Sequence, residues 1–334
     1  MSTMTVPQAE ARPEACPPDD RLPALSRDLM ARTDRLRSPF GLYLVRPDDP
    51  AAELARHVEA EVFDEAFGND RDLMAEEYGP YERASVFCCV LDHRRALPVG
   101  ALRLILPGPA GLKSLVDVER GWDRPAAGLL ASTGFDFEAA RTWDIATLAV
   151  APGYRDGLVS QALYQGACTS ARRRHVSALV TILDVRVLRL VQSRLARPFR
   201  RYEGVGSAEY LDSPASLPVW SDFEGWRQRV QHEDPVLHDV VFEGRGLEAA
   251  VSAPDWDAFW ADRCPAAAPT STAAPPFKGE RRTGNRSRAD PPGRPGRRGA
   301  VPGLRRRRAL GAAAPGRPPR RRRLRRAGRV SRLW

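Results

Sequence analysis

Apolar residues recur along the first two thirds of the chain in two alternating rhythms. Residues 41–45 are a short apolar run that ends in Arg46-Pro47-Asp48-Asp49-Pro50, which reads as a strand entering a turn. Asp49 and Pro50 suit a helix start. From there to residue 67, Leu54, Val58, Val62 and Phe63 fall at helical spacing. Residues 84–91 and 99–106 are apolar runs of strand length, and the connection between them is short enough for an antiparallel hairpin.

The region 108–141 breaks this rhythm. It holds one amphipathic piece (Leu112, Leu115, Val116) and a loop rich in Gly, Pro and Ala. The pattern then resumes with a strand at 143–150, a loop at 151–157 and a helix at 158–173. A second strand follows at 177–184, and a helix at 185–195. Further on, 198–219 reads as short strand-like pieces separated by Gly204, Gly206 and Pro214. A helix is predicted at 222–231, a last strand at 238–242 and a helical turn at 256–260.

Composition divides the 334 residues into three parts. Residues 1–38 are polar and rich in proline and read as a flexible arm, with one short helix near 25–36. Residues 39–264 carry the periodic patterns, and the 43% hydrophobic content supplies a core. Residues 265–334 are dominated by Arg, Pro, Gly and Ala and are expected to be disordered. The net charge of +10 is unevenly spread, because this tail alone has 21 Lys and Arg against 2 Asp and Glu. Residues 1–264 are therefore acidic, so the body is not read as a nucleic-acid binder. The tail is either a tether for nucleic acid or an acidic partner, or the product of a shifted reading frame in a GC-rich gene.

The five cysteines, Cys16, Cys88, Cys89, Cys168 and Cys264, show neither CxxC nor Cys/His ligand spacing, so no disulfide framework and no metal site is expected. Cys88 and Cys89 should face opposite sides of their strand. No apolar leader or membrane-length stretch is present, and the protein is expected to be cytoplasmic.

The chemistry concentrates in residues 144–163. A strand ends at Val150, Pro152 closes its ladder, and a short loop leads into a helix at Leu158. The opening amides of a helix lack intrahelical acceptors and, with the helix dipole, favour a phosphate. Arg155 precedes that helix and is positioned in sequence to add a guanidinium. The stretch resembles motif A of the GNAT acyltransferase superfamily, roughly V-x-P-x-x-R-x-x-G-x-G/A. Val150, Pro152 and Arg155 match it, whereas Leu158 and Ser160 replace the two glycines and Gly157 stands one position early. Glu61-Val62-Phe63, the run Trp143 to Val150, the run Ile182 to Leu190, and Pro198-Phe199 resemble the autoinducer-synthase and N-acyl amino acid synthase branch.

That resemblance implies an α+β GNAT fold with a mixed central sheet, splayed at the thioester site and flanked by helices. It implies an N-acyltransferase moving an acyl group from acetyl-CoA, a longer acyl-CoA or an acyl carrier protein to a small-molecule amine. Backbone at Leu148, Ala149 and Val150 would polarise the thioester. Arg155, Asp156, Gly157, Leu158, Val159, Ser160 and Gln161 would hold the phosphate end, Asp184 would contact donor or substrate, and Asp144 would be the acid/base group. The family's tyrosine on the helix after Asp184 is missing. Two other readings are a GNAT-like module that binds thioesters without turnover, and a nucleic-acid-associated protein acting through its basic tail. Arg103 reads as an exposed strand position, and Cys168 as core.

Overall fold

In a computed structural model of the protein, residues 21–32 and 38–261 are described. The predicted tail at 265–334, Cys16, Cys264 and most of the predicted arm lie outside them. Helix α1 (Arg21–Ala31) precedes β1 (Phe40–Val45), α2 (Ala52–Phe67) and α3 (Arg71–Tyr78). The hairpin β2 (Ser85–Asp92) and β3 (Leu97–Ile105) leads to α4 (Lys113–Gly121) and α5 (Ala126–Ser132). Then come β4 (Thr142–Val150), α6 (Leu158–Arg173), β5 (Ala178–Asp184) and α7 (Val185–Arg194). The remainder comprises β6 (Arg200–Arg201), β7 (Ala208–Tyr210), β8 (Ser213–Asp222), α8 (Phe223–Glu233), α9 (Pro235–His238), β9 (Val251–Ser252) and α10 (Trp256–Ala261).

Among the described residues nine strands form one sheet, ordered β6–β8–β5–β4–β3–β2–β1–β9, with β7 paired to β8. Strands β1 to β4 are antiparallel neighbours, β4 and β5 are parallel, and β8 runs antiparallel to β5. This mixed sheet with helices on both faces is the α+β architecture predicted above. All eight residues of β2 are buried. Cys88 packs in the cluster that holds α6, and Cys89 in the cluster that holds α2. Their thiols are pushed up by burial, which keeps them as small protonated core groups.

Three stretches differ from the sequence reading. Residues 238–242 are helical: Asp234 accepts the Leu237 amide at 3.0 Å, Pro235 opens α9, and a turn of π-helix follows at Asp239–Glu243. Side chains of α6 then take carbonyls that a strand would have offered to a neighbour. Gln165 Nε2 donates to the Val240 oxygen and Arg172 Nε to the Phe242 oxygen. The strand-like pieces within 198–219 resolve into the short β6 and β7 and one long β8 that runs through Pro214 and Pro218. Pro218 falls between the short ladders to β7 and β6, where the missing amide costs least. Helix α3, unread in the sequence, starts where Gly68 closes α2 at φ 79° and Asp70 caps the Leu73 amide.

Among the described residues, no helix is long and apolar enough to cross a membrane.

Candidate active site

The parallel pair β4–β5 determines the site. It holds for three residues, Thr142↔Ala178, Trp143↔Leu179 and Asp144↔Val180, and then the strands part. Two local features separate them. A β-bulge leaves Ala146 unmatched between Arg103↔Thr147 and Leu104↔Ile145, which bends β4. Opposite it, the Thr181 hydroxyl rather than a backbone amide takes the Ile145 carbonyl, at 2.7 Å. The ladder thus ends in a side-chain bond.

A cavity of about 110 Å³ fills the opening. That is several times the space one water needs. Ile145 to Leu148 of β4 and Thr181 to Asp184 of β5 line it on the two sides of the gap. On the α6–α7 face its wall is apolar, with Leu179, Val187, Val191, Leu195 and Trp226. On the opposite face Phe63, Phe67, Tyr78, Tyr210 and Leu211 border it.

Beside the gap, α6 begins at Gly157, whose φ of 110° favours glycine. The helix lies hard against β3, where a Cβ on Gly100 would sit 2.4 Å from Val159 Cγ1. The Leu158 amide is accepted by Asp156 Oδ1 at 3.1 Å. The amides of Val159 and Ser160 have no acceptor among the described residues. A groove at this helix end has Gly157, Ser160, Gln161, Tyr164 and Arg194 along one side, and Asp234 with apolar residues such as Leu190, Leu237 and Val240 along the rest. Arg194 Nη1 is 3.4 Å from where a Gly157 Cβ would stand, and no carboxylate among the described residues pairs with it.

Leu148 and Asp184 line the cavity, and Gly157, Ser160 and Gln161 line the groove. The side chains of Ala149, Val150 and Val159 are buried in the core, so these positions present backbone alone. Arg155 is turned away from the groove. Its Nε donates to the Val150 carbonyl at 2.9 Å and its Nη2 to Glu65 of α2 at 2.8 Å, tying the loop to the opposite face of the sheet. The cation at the amide end of α6 is Arg194.

Asp144 does not line the cavity. It is 0% exposed and accepts the amide and hydroxyl of Ser114 at 2.6 and 2.7 Å, which anchors the start of α4. Burial pushes its carboxyl up to about 7, against the pull of the Ser114 donors. A carboxyl raised above its unfolded range favours folding while protonated, and that contribution is lost as pH rises from about 4 to 7. Asp144→Asn is therefore expected to gain stability relative to the native chain over this window, by on the order of 1 kcal/mol per pH unit. Urea denaturation at pH 5 and pH 7.5 checks it; a pH-independent difference contradicts it.

Arg103 is 3% exposed rather than on an open strand face. It grips Glu59 with Nε at 3.1 Å and Nη2 at 2.6 Å, and Glu82 with Nη1 at 2.8 Å. Glu59 also receives the Thr147 hydroxyl, so this buried pair fixes a residue of the cavity wall.

Sequence reasoning missed the placement of Tyr164 and Arg194. Tyr164 lines both the cavity and the groove, and burial pushes its phenol up. Gly157, Ser160, Gln161 and Tyr164 recur at three- and four-residue steps, a signal that would have put them on one face. For Arg194 the signal is weaker: residues 185–202 contain six arginines and no carboxylate.

No family model matches the chain, and no curated protein matches it. Solved structures do. FeeM, an N-acyl amino acid synthase from uncultured soil microbes, is 14% identical with a TM-score of 0.42, over 57% of this chain and 93% of that one. BjaI, a CoA-dependent acyl-homoserine lactone synthase determined with SAM and isopentyl-CoA, is 15% identical with a TM-score of 0.40, over 64% and 93%. A variant of the spermidine N-acetyltransferase SpeG from Vibrio cholerae is 12% identical with a TM-score of 0.36, over 57% and 98%.

Proposed function

We propose that the chain is an N-acyltransferase that moves an acyl group from a pantetheine thioester to a small-molecule amine. The observation that carries this reading is the parting of β4 from β5 after three residue pairs, beside an open helix start and around a cavity. Strand backbone facing the gap has lost its ladder partner and is available to the amides of a pantetheine arm. An amide near Leu148 would meet the developing oxyanion of the thioester carbonyl in a site screened from water. The amides of Val159 and Ser160, with Arg194, suit the phosphate end of the donor.

Tyr164 is the proton donor that fits the leaving thiolate. It stands between groove and cavity, where its hydroxyl can meet the departing sulfur. The apolar wall of the cavity favours an acyl chain longer than acetyl. The arginine run 185–202 fits either the phosphates of CoA or an acidic carrier protein, both of which end in the same pantetheine.

Arg194→Ala is expected to weaken decanoyl-CoA about tenfold or more, the effect of one charge-assisted bond. Arg155→Ala is expected to act on stability, by no more than about 1 kcal/mol. Isothermal titration and thermal denaturation separate the two. Equal donor affinity of the native chain and Arg194→Ala would remove the groove from the donor site.

A further inference from the structure

The cavity wall carries a polar chain that the acyl-transfer steps above do not use. Ser216 Oγ donates to Ser213 Oγ at 2.9 Å, and Ser213 Oγ donates to Asp184 Oδ2 at 2.9 Å. Asp184 Oδ1 accepts the Arg186 amide at 2.7 Å, which fixes the carboxylate at the start of α7. All three side chains are buried, at 2%, 4% and 7% exposure, and all three line the cavity. Ser216 stands directly across the β5–β8 ladder from Asp184.

The direction of these bonds matters. Every hydroxyl in the chain spends its hydrogen toward Asp184, and the Ser216 oxygen receives no hydrogen bond among the described residues. Its lone pairs therefore remain available on the cavity wall. A hydroxyl oxygen carries two acceptor lone pairs, so Ser216 can take a hydrogen from a group bound in the cavity while its own hydrogen stays on Ser213.

We propose that Ser216, Ser213 and Asp184 form a relay that takes the proton from the acceptor amine. The proposal rests on the acyl-transfer reading and names the basic end of that site. A neutral amine nitrogen bonds to the thioester carbon. The proton it must lose passes to Ser216 Oγ while the Ser216 proton moves to Ser213 and the Ser213 proton to Asp184 Oδ2. The carbon–sulfur bond then breaks, and the thiolate takes a proton from Tyr164. Water returns that proton to Tyr164 and receives the one held on Asp184, so the cycle closes without an added reagent. Ser216 is the catalytic residue that touches the amine; Ser213 and Asp184 act through it. The relay stands on the β8 side of the gap, away from the groove at α6, so donor and acceptor reach the reacting carbon from different sides.

The test uses the full chain, decanoyl-CoA as donor and an equimolar pool of proteinogenic amino acids as acceptors, with thiol release as the readout. Asparagine caps helices about as well as aspartate, so Asp184→Asn should keep its Tm and its donor Kd. Its kcat at pH 7 is expected to fall about 100-fold, the scale of a lost proton acceptor. The rate should then climb with pH as hydroxide takes over, unlike the flatter native profile. The charged group nearest Asp184 is Arg186, 3.8 Å away on α7, and the other titratable side chains facing the cavity are the phenols of Tyr78, Tyr164 and Tyr210 and the thiol of Cys168, all pushed up by burial. None of these supplies a substitute base near neutrality. Ser216→Ala touches no cap and should show a similar loss, with the double variant little worse than either single one. A kcat within threefold of native in Asp184→Asn or in Ser216→Ala, or a variant pH profile parallel to the native one, overturns the relay. No thiol release by the native chain overturns the acyl-transfer reading itself, and the relay with it.

Discussion

Arg103→Met is expected to cost about 3–5 kcal/mol of folding stability, the loss that follows when one partner of a buried ion pair is removed. The guanidinium is 3% exposed, bonded to both oxygens of Glu59 and to Glu82, and stacked 4.8 Å from the Tyr78 ring centre and 4.6 Å from that of Phe87. Methionine fills much of the volume but leaves Glu59, itself 1% exposed, with the Thr147 hydroxyl as its main partner. Removing both charges, as in Glu59→Met with Arg103→Met, should recover most of the loss, because two apolar side chains replace a desolvated pair. Urea denaturation of the native chain, both single variants and the double variant measures the coupling. A cost below about 1 kcal/mol for Arg103→Met would mean that solvent reaches the pair and that it does not hold the α2 side of the cavity.

The second large effect concerns the acyl chain. Ala167 lies on the buried face of α6, is 3% exposed, and lines the cavity on its apolar side. Ala167→Leu adds three carbons there, and each buried methylene of a ligand is worth about 0.8 kcal/mol. Excluding three methylenes is therefore expected to weaken a ten-carbon acyl-CoA by about 2.4 kcal/mol, roughly 50-fold, and to leave acetyl-CoA nearly unchanged. Competition binding with the two thioesters checks this. An equal loss for both would mean that the substitution distorts α6 rather than filling an acyl site.

Much of the architecture was legible in the sequence because one rhythm governs each element. Apolar runs of strand length gave β1 to β5, and helical spacing of Leu54, Val58, Val62 and Phe63 gave α2. The splay of β4 from β5 followed from the resemblance at Val150, Pro152 and Arg155, and its local cause, the bulge at Ala146, left no mark in the pattern. Residues 238–242 misled because β-branched apolar residues satisfy strand and buried-helix patterns alike over so short a span. Tertiary bonds from α6 decided the matter.

The site was less legible than the fold. Sequence proximity placed Arg155 at the helix end, but Glu65, 90 residues away, takes its guanidinium, and Arg194 from the next helix stands at Gly157 instead. Asp144 has the residue type and neighbourhood of a catalytic acid, yet the strand directs it toward α4, where Ser114 binds it. Ser213 and Ser216 carry no sequence signal at all, because their chain to Asp184 forms only once β8 pairs with β5. Contacts between distant segments determine such roles, and periodicity does not encode them.

The most direct measurement is a binding series of acyl-CoA thioesters from acetyl to dodecanoyl on the full chain, read by isothermal titration. Affinity is expected to rise about fourfold with each added methylene until the cavity is filled, and then to level off. Affinity independent of chain length, or no binding of any thioester at millimolar concentration, contradicts an acyl-thioester site between β4 and β5.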